Sequence, residues 1–152
     1  MPKVTTFLMY PERAKEAMEF YQRIFGDKFK LQGGDFGGAG YSATFEIDGQ
    51  VFQVFEGGEH FQFTAAFSLF VTCRDQAEVD YFWDALTAGG GEESQCGWVT
   101  DQFGVSWQIV PQAFIAMLTS PNREGAARAT RAMLKMKKLV IKDLKAAFEG
   151  KE

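Results

Sequence analysis

Apolar residues recur at helical spacing twice along the chain. Ala17, Phe20, Tyr21 and Ile24 stand at i, i+3, i+4 and i+7, and so do Val79, Phe82, Trp83 and Leu86. Each series predicts an amphipathic helix stopped by glycine, at Gly26 in the first case and at Gly89-Gly90-Gly91 in the second. A short apolar strand precedes each helix. An offset of 62 lays Thr6 on Ser68, Leu8 on Phe70, Met9 on Val71, Glu16 on Glu78 and Phe20 on Phe82. A second match joins residues 49–54 to residues 104–109 at an offset of 55, with glycine on glycine and Gln53 on Gln108. The offset falls by 7, and residues 33–40, Gly-Gly-Asp-Phe-Gly-Gly-Ala-Gly, supply the surplus. A length difference confined to a loop makes a duplication credible.

Between helix and last strand each half offers two further strands, at residues 28–31 and 41–47 and at residues 92–96 and 98–100. Asp48-Gly49 reads as a hairpin turn, with Phe103-Gly104 in the corresponding place. The fold class is therefore α+β, with two paired β-α-β-β-β modules at residues 1–57 and 66–111. One such module leaves a sheet face bare, and two can curve their bare faces around a shared cleft. Residues 112–152 form a C-terminal helical extension to the same single domain. Its pattern predicts a short helix from Pro111 to Leu118, a helix over residues 123–138 built from strong helix formers, a short strand at Leu139-Val140-Ile141, and a final helical turn or two over residues 142–148.

Composition narrows the function. The chain has 152 residues, 46% hydrophobic and 24% charged, an ordinary globular mix. No apolar run reaches about 18 residues and no signal peptide is visible, so a cytoplasmic protein without a membrane partner is expected. Cys73 and Cys96 are too few for a disulfide scaffold. Charge is split: residues 1–121 carry 7 Lys and Arg against 16 Asp and Glu, whereas residues 122–152 carry 9 against 4. The acidic body disfavours nucleic acid, and the basic tail is expected to lie on that body or on a partner subunit.

The duplicated module, the Phe20-Tyr21 and Phe82-Trp83 pairs and the closing Gly104-x-x-Trp107-Gln108-Ile109-Val110-Pro111 resemble the vicinal oxygen chelate superfamily, the glyoxalase, bleomycin-resistance and dioxygenase fold. Residues 96–111, with Gly89-Gly90-Gly91-Glu92 upstream and Met136-Lys137-Lys138 in the tail, are similar to its PhnB-like branch, whose members are often labelled demethylubiquinone methyltransferases. The resemblance implies a homodimer. It also implies metal positions on the first and last strand of each module, which fall here on Thr6, Ser68, Gln53 and Gln108. Two hydroxyls and two neutral amides bring no charge to offset a cation's dehydration, so no metal is expected. The glycine-rich stretch lacks Gly-x-Gly-x-x-Gly and the Lys-Ser/Thr of a phosphate loop, so no cofactor is expected either. It reads as a hairpin loop or a lid.

The remaining chemistry is sparse. His60, the one histidine, reads as a loop residue, and Glu56 as a charged strand end at the edge of the cleft. Side chains alternate along a strand, so Gln53 and Gln108 face the cleft if Phe52 and Trp107 pack under the helices. Phe55 and Phe70 share that face, and Cys96 and Trp98 lie near it. These eight residues (Thr6, Gln53, Phe55, Ser68, Phe70, Cys96, Trp98 and Gln108) are the candidate ligand-binding set, for a small and largely apolar molecule. No catalytic residue is assigned. A metal-free binding protein is favoured over an enzyme of the superfamily and over an interaction protein acting through its basic tail.

Overall fold

In the computed structural model, which describes residues 2–34 and 40–151, the duplication appears as two separate four-stranded sheets. They belong to two units, Met1–Phe63 and Thr64–Glu152. The stretch read as a lid falls mostly on residues 35–39, outside the described residues.

The first unit runs β1 (Thr6–Tyr10), α1 (Ala14–Phe25), β2 (Phe29–Gly33), β3 (Ser42–Ile47) and β4 (Gln50–Glu56), with strand order β1-β4-β3-β2. β1 lies parallel to β4, and the other pairs are antiparallel. α1 buries Ala17, Phe20, Tyr21 and Ile24, the series its spacing marked out. Beneath it Phe45 stacks on Phe29 and on Phe52, with centroids 4.9 and 5.6 Å apart. Asp48 and Gly49 both take positive φ, 48° and 90°, as a two-residue hairpin turn requires.

The second unit repeats the plan: β5 (Ser68–Cys73), α2 (Gln76–Thr87), β6 (Glu92–Glu93), β7 (Trp98–Thr100) and β8 (Ser106–Pro111), in the order β5-β8-β7-β6. Val79, Trp83 and Leu86 are buried under α2. The β7–β8 connection is longer than its counterpart, spanning residues 101–105 around the buried Asp101.

The extension packs within this second unit as α3 (Gln112–Leu118), α4 (Arg123–Met133) and α5 (Ile141–Phe148). Phe114, Met117, Ala129, Leu139 and Leu144 gather with Val110 of β8 into a core. Two expectations are corrected here. The helix predicted to reach residue 138 ends at Met133, because the carbonyls of Met136 and Lys137 accept hydrogen bonds from the Cys96 and Gly97 amides, both at 2.8 Å. Leu139-Val140-Ile141 is not a strand. Its place in the edge of a ladder is taken by one side chain: Gln76 donates to the Leu139 carbonyl at 3.0 Å and accepts from the Ile141 amide at 2.8 Å. Gly97, at φ 86°, admits this approach, since a Cβ there would stand 3.1 Å from both Leu139 Cγ and the Ile109 carbonyl.

The basic tail thus lies on its own unit. Lys138 pairs with Asp80 of α2 at 3.0 Å. Arg123 donates to the carbonyls of Leu118 and Ser120 at the end of α3. Arg128 donates to those of Ala147 and Phe148 at the end of α5. Cations at helix C-termini satisfy orphan carbonyls and complement the macrodipole.

Candidate functional site

Strand alternation decides which side chains each sheet turns away from its helix. In β4, Phe52 and Val54 are buried beneath α1, so Gln53 and Phe55 point to the opposite face. In β8, Trp107 and Ile109 are buried, and Gln108 points away from them.

On the first helix-free face the Gln53 amide donates to Thr5 Oγ1 at 2.9 Å. On the second, Gln108 donates to Ser68 Oγ at 3.0 Å. These are the same joint built twice, and it corrects a sequence expectation. Phe7 pairs with Gln53 and Phe70 with Gln108, so the first strands correspond at an offset of 63 and Ser68 answers to Thr5. Thr6 is turned the other way and accepts from Gln50 at 3.2 Å. The helices do correspond at 62. The difference arises because residues 11–13 connect β1 to α1, whereas only residues 74–75 connect β5 to α2. Thr5 and Phe7 are therefore the neighbours of Gln53 on this face that sequence reasoning missed. The unequal strand-to-helix connections were the signal.

Phe7 and Phe70 are 54% and 53% exposed, which is much for side chains of this size in a strand. Phe55 joins Gln53, two residues along β4. Trp98 lies opposite Gln108 on β7. Of the eight expected residues, one face thus collects Ser68, Phe70, Trp98 and Gln108, and the other collects Gln53 and Phe55. Cys96 belongs to neither. Its backbone φ of 60° turns it under the extension, where its amide is bonded to Met136 and its thiol lies 3.9 Å from the Leu134 carbonyl. The other thiol, Cys73, is pushed up to about 12 by burial and secondarily by the nearby carboxylates of Glu78 and Asp75, so it stays protonated and unreactive at neutral pH.

The acids nearby have structural partners. Glu56 accepts from the Ala14 amide at 3.1 Å and so caps α1, whose own N-cap, Arg13, makes no capping bond with its side chain, which pairs instead with Glu16. Asp101 accepts from the amides of Phe103 and Val105 and from Trp107 Nε1, at 2.9, 3.0 and 2.9 Å. His60 is exposed in a turn.

A divalent ion does not fit these residues. Each module offers one hydroxyl and one amide, already joined to each other and neutral. No group of three or more His, Cys, Asp or Glu comes together among the described residues. The strand-to-helix connections, Pro11-Glu12-Arg13 and Arg74-Asp75, contain no glycine with which to cradle a phosphate.

Comparison with known proteins gives this architecture its relatives. The model of the 3-demethylubiquinone-9 3-methyltransferase family matches residues 2–110. Among solved structures, the PhnB protein of Bacillus cereus is 33% identical, with a TM-score of 0.64 over 72% of this chain and 99% of its own. Protein PA1353 of Pseudomonas aeruginosa is 16% identical, with a TM-score of 0.61 over 73% of this chain and 98% of its own. The fosfomycin resistance protein FosX of Listeria monocytogenes, solved with Mn(II) and sulfate, is 16% identical, with a TM-score of 0.54 over 70% and 89%. No curated protein sequence matches the chain.

Proposed function

This chain belongs to the PhnB-like 3-demethylubiquinone-9 3-methyltransferase family, a branch of the glyoxalase and bleomycin-resistance superfamily, and from that membership we propose that it binds a small, largely apolar molecule on the helix-free sheet faces without a divalent metal. The observation that carries this reading is the twice-built joint of amide and hydroxyl beside an exposed phenylalanine, Gln53–Thr5 with Phe7 and Gln108–Ser68 with Phe70. Each glutamine spends one N–H on its hydroxyl partner, and its carbonyl oxygen bonds no other described residue. A polar group of the ligand can therefore be oriented by the amides while rings cover its apolar body.

FosX was solved with Mn(II). The present donor set argues against the same use here, since a metal ion needs anionic or imidazole ligands to repay its dehydration. The family name points to a methyl transfer, but neither strand-to-helix connection has the glycines of a nucleotide-type cofactor turn. Binding, with or without turnover of the bound molecule, is the reading these residues support. We place it in a homodimer and in the cytoplasm, where Cys73 and Cys96 remain free thiols.

Native mass spectrometry of protein purified from its host, beside metal analysis, tests this. A retained small molecule, lost from Gln53→Ala and Gln108→Ala, is expected, together with a mass of two chains. One tightly bound divalent ion per chain, lost in either variant, would overturn the metal-free reading.

A further inference from the structure

A cavity of about 760 Å³ lies between α4 and α5, entirely within the C-terminal extension and beyond the residues that the family model matches. Ala132, Met136 and Ala146 contribute apolar lining, and Arg131, Lys135 and Lys151 contribute positive charge. We propose that this groove is a second binding site, separate from the sheet faces, for a small amphiphile with a single anionic head such as a carboxylate.

The cations are not needed to finish the helices. The end of α5 is already closed: Gly150 and Lys151 donate their backbone amides to the carbonyls of Ala147 and Ala146, and Arg128 donates to those of Ala147 and Phe148. The side chains of Arg131 and Lys135 make no hydrogen bond or ion pair with any described residue, although the Lys135 backbone amide donates to the Ala132 carbonyl. Both are exposed at the C-terminal end of α4, Arg131 in its last turn and Lys135 just past it. Among the described residues the Lys151 side chain pairs only with Glu149, and it is 76% exposed.

Charge and shape together choose the occupant. A long polyanion would meet the acidic remainder of the same unit, where residues 64–121 carry 7 acidic side chains against one basic. A small ligand avoids that field. The lining contains no aromatic ring on which a base could stack. Short side chains at Ala132 and Ala146 leave room for an alkyl body along the helices, and Met136 adapts to its shape. Asp143, also on the lining, opposes a second anionic group, so one head per groove is accommodated. The volume lies in the range of small-molecule sites.

Titration calorimetry of the full chain with decanoate, decanol and decyltrimethylammonium, each below its micelle concentration, tests the proposal. Decanoate should bind more tightly than the neutral or cationic analogue. Arg131→Gln/Lys135→Gln should weaken it about tenfold or more, because charge-assisted bonds to the head are lost. Ala146→Phe should weaken it by filling the groove. Thermal melts identify any variant that fails to fold, and the two independent variants keep the test decisive. Equal binding of the cationic analogue, or decanoate affinity unchanged in the double variant, overturns the site. Decanoate binding that is lost in Gln53→Ala but kept in Arg131→Gln/Lys135→Gln would place it on the sheet faces and also overturn it, while leaving the reading of those faces intact.

Discussion

The space between helix and sheet is filled by rings in the first module and by indoles tied to carboxylates in the second. In the first, Phe29, Phe45 and Phe52 stack, Tyr21 leans on Phe45 with centroids 6.5 Å apart, and the hydroxyls of Tyr10 and Tyr21 meet at 3.0 Å. In the second, Trp83 donates to Glu93 and Trp107 donates to the buried Asp101. One topology has been specified by two chemistries. Stacked hydrocarbon is non-directional, so it depends on volume. A buried carboxylate with three donors depends on every partner being present.

The contrast can be broken most forcefully at Phe45, which is wholly buried. Phe45→Ala should cost about 3–5 kcal/mol by leaving a cavity, whereas Phe45→Leu should cost no more than roughly 1.5 kcal/mol. Denaturant melts of the two variants measure the difference. Equal losses would show that ring geometry, not volume, holds the first module.

Asp101 sharpens the other side. Asp101→Asn changes almost no volume, yet one of the two acceptor oxygens becomes an NH2 donor: with Oδ1 kept toward Phe103 N and Val105 N, the amide nitrogen faces Trp107 Nε1, itself a donor. A loss of about 1–3 kcal/mol is expected. A melt indistinguishable from that of the parent protein would mean that the second module, too, is held by volume alone.

The smallest effect concerns the clasp between α2 and the extension, a feature of the second unit only. The Asp80 carboxyl is held below its ordinary value by hydrogen bonds from Gln76 first and Lys138 second. A depressed folded-state value contributes stability above the ordinary carboxylate range, and that stability is lost as the pH falls through the lowered value. The gap in melting temperature between the parent protein and Asp80→Asn should therefore be largest near neutral pH and close as the solution is acidified. The pair is partly exposed and screened by solvent, so the gap will be small. A gap that persists at the acid end would assign the variant's effect to something other than charge.

Much of this was legible in one dimension. The i, i+3, i+4, i+7 series fixed both helices because helical burial repeats within a few residues. The glycine-led strands paired Gln53 with Gln108, and alternation alone placed both opposite Phe52 and Trp107. Composition allowed three functional classes without choosing a ligand. Other features depended on partners remote in sequence. Thr5 rather than Thr6 meets Gln53, because one extra residue before α1 shifts the strand but not the helix. Cys96 left the candidate site because its backbone bonds to residues 40 positions away. Leu139–Ile141, apolar throughout and β-branched at Val140 and Ile141, reads as a strand until the Gln76 side chain takes the place of the ladder. Periodicity records which face a local segment buries. Register, caps and the destination of each backbone hydrogen bond are settled only when distant segments meet, since every polar group must find whatever partner the assembled fold supplies.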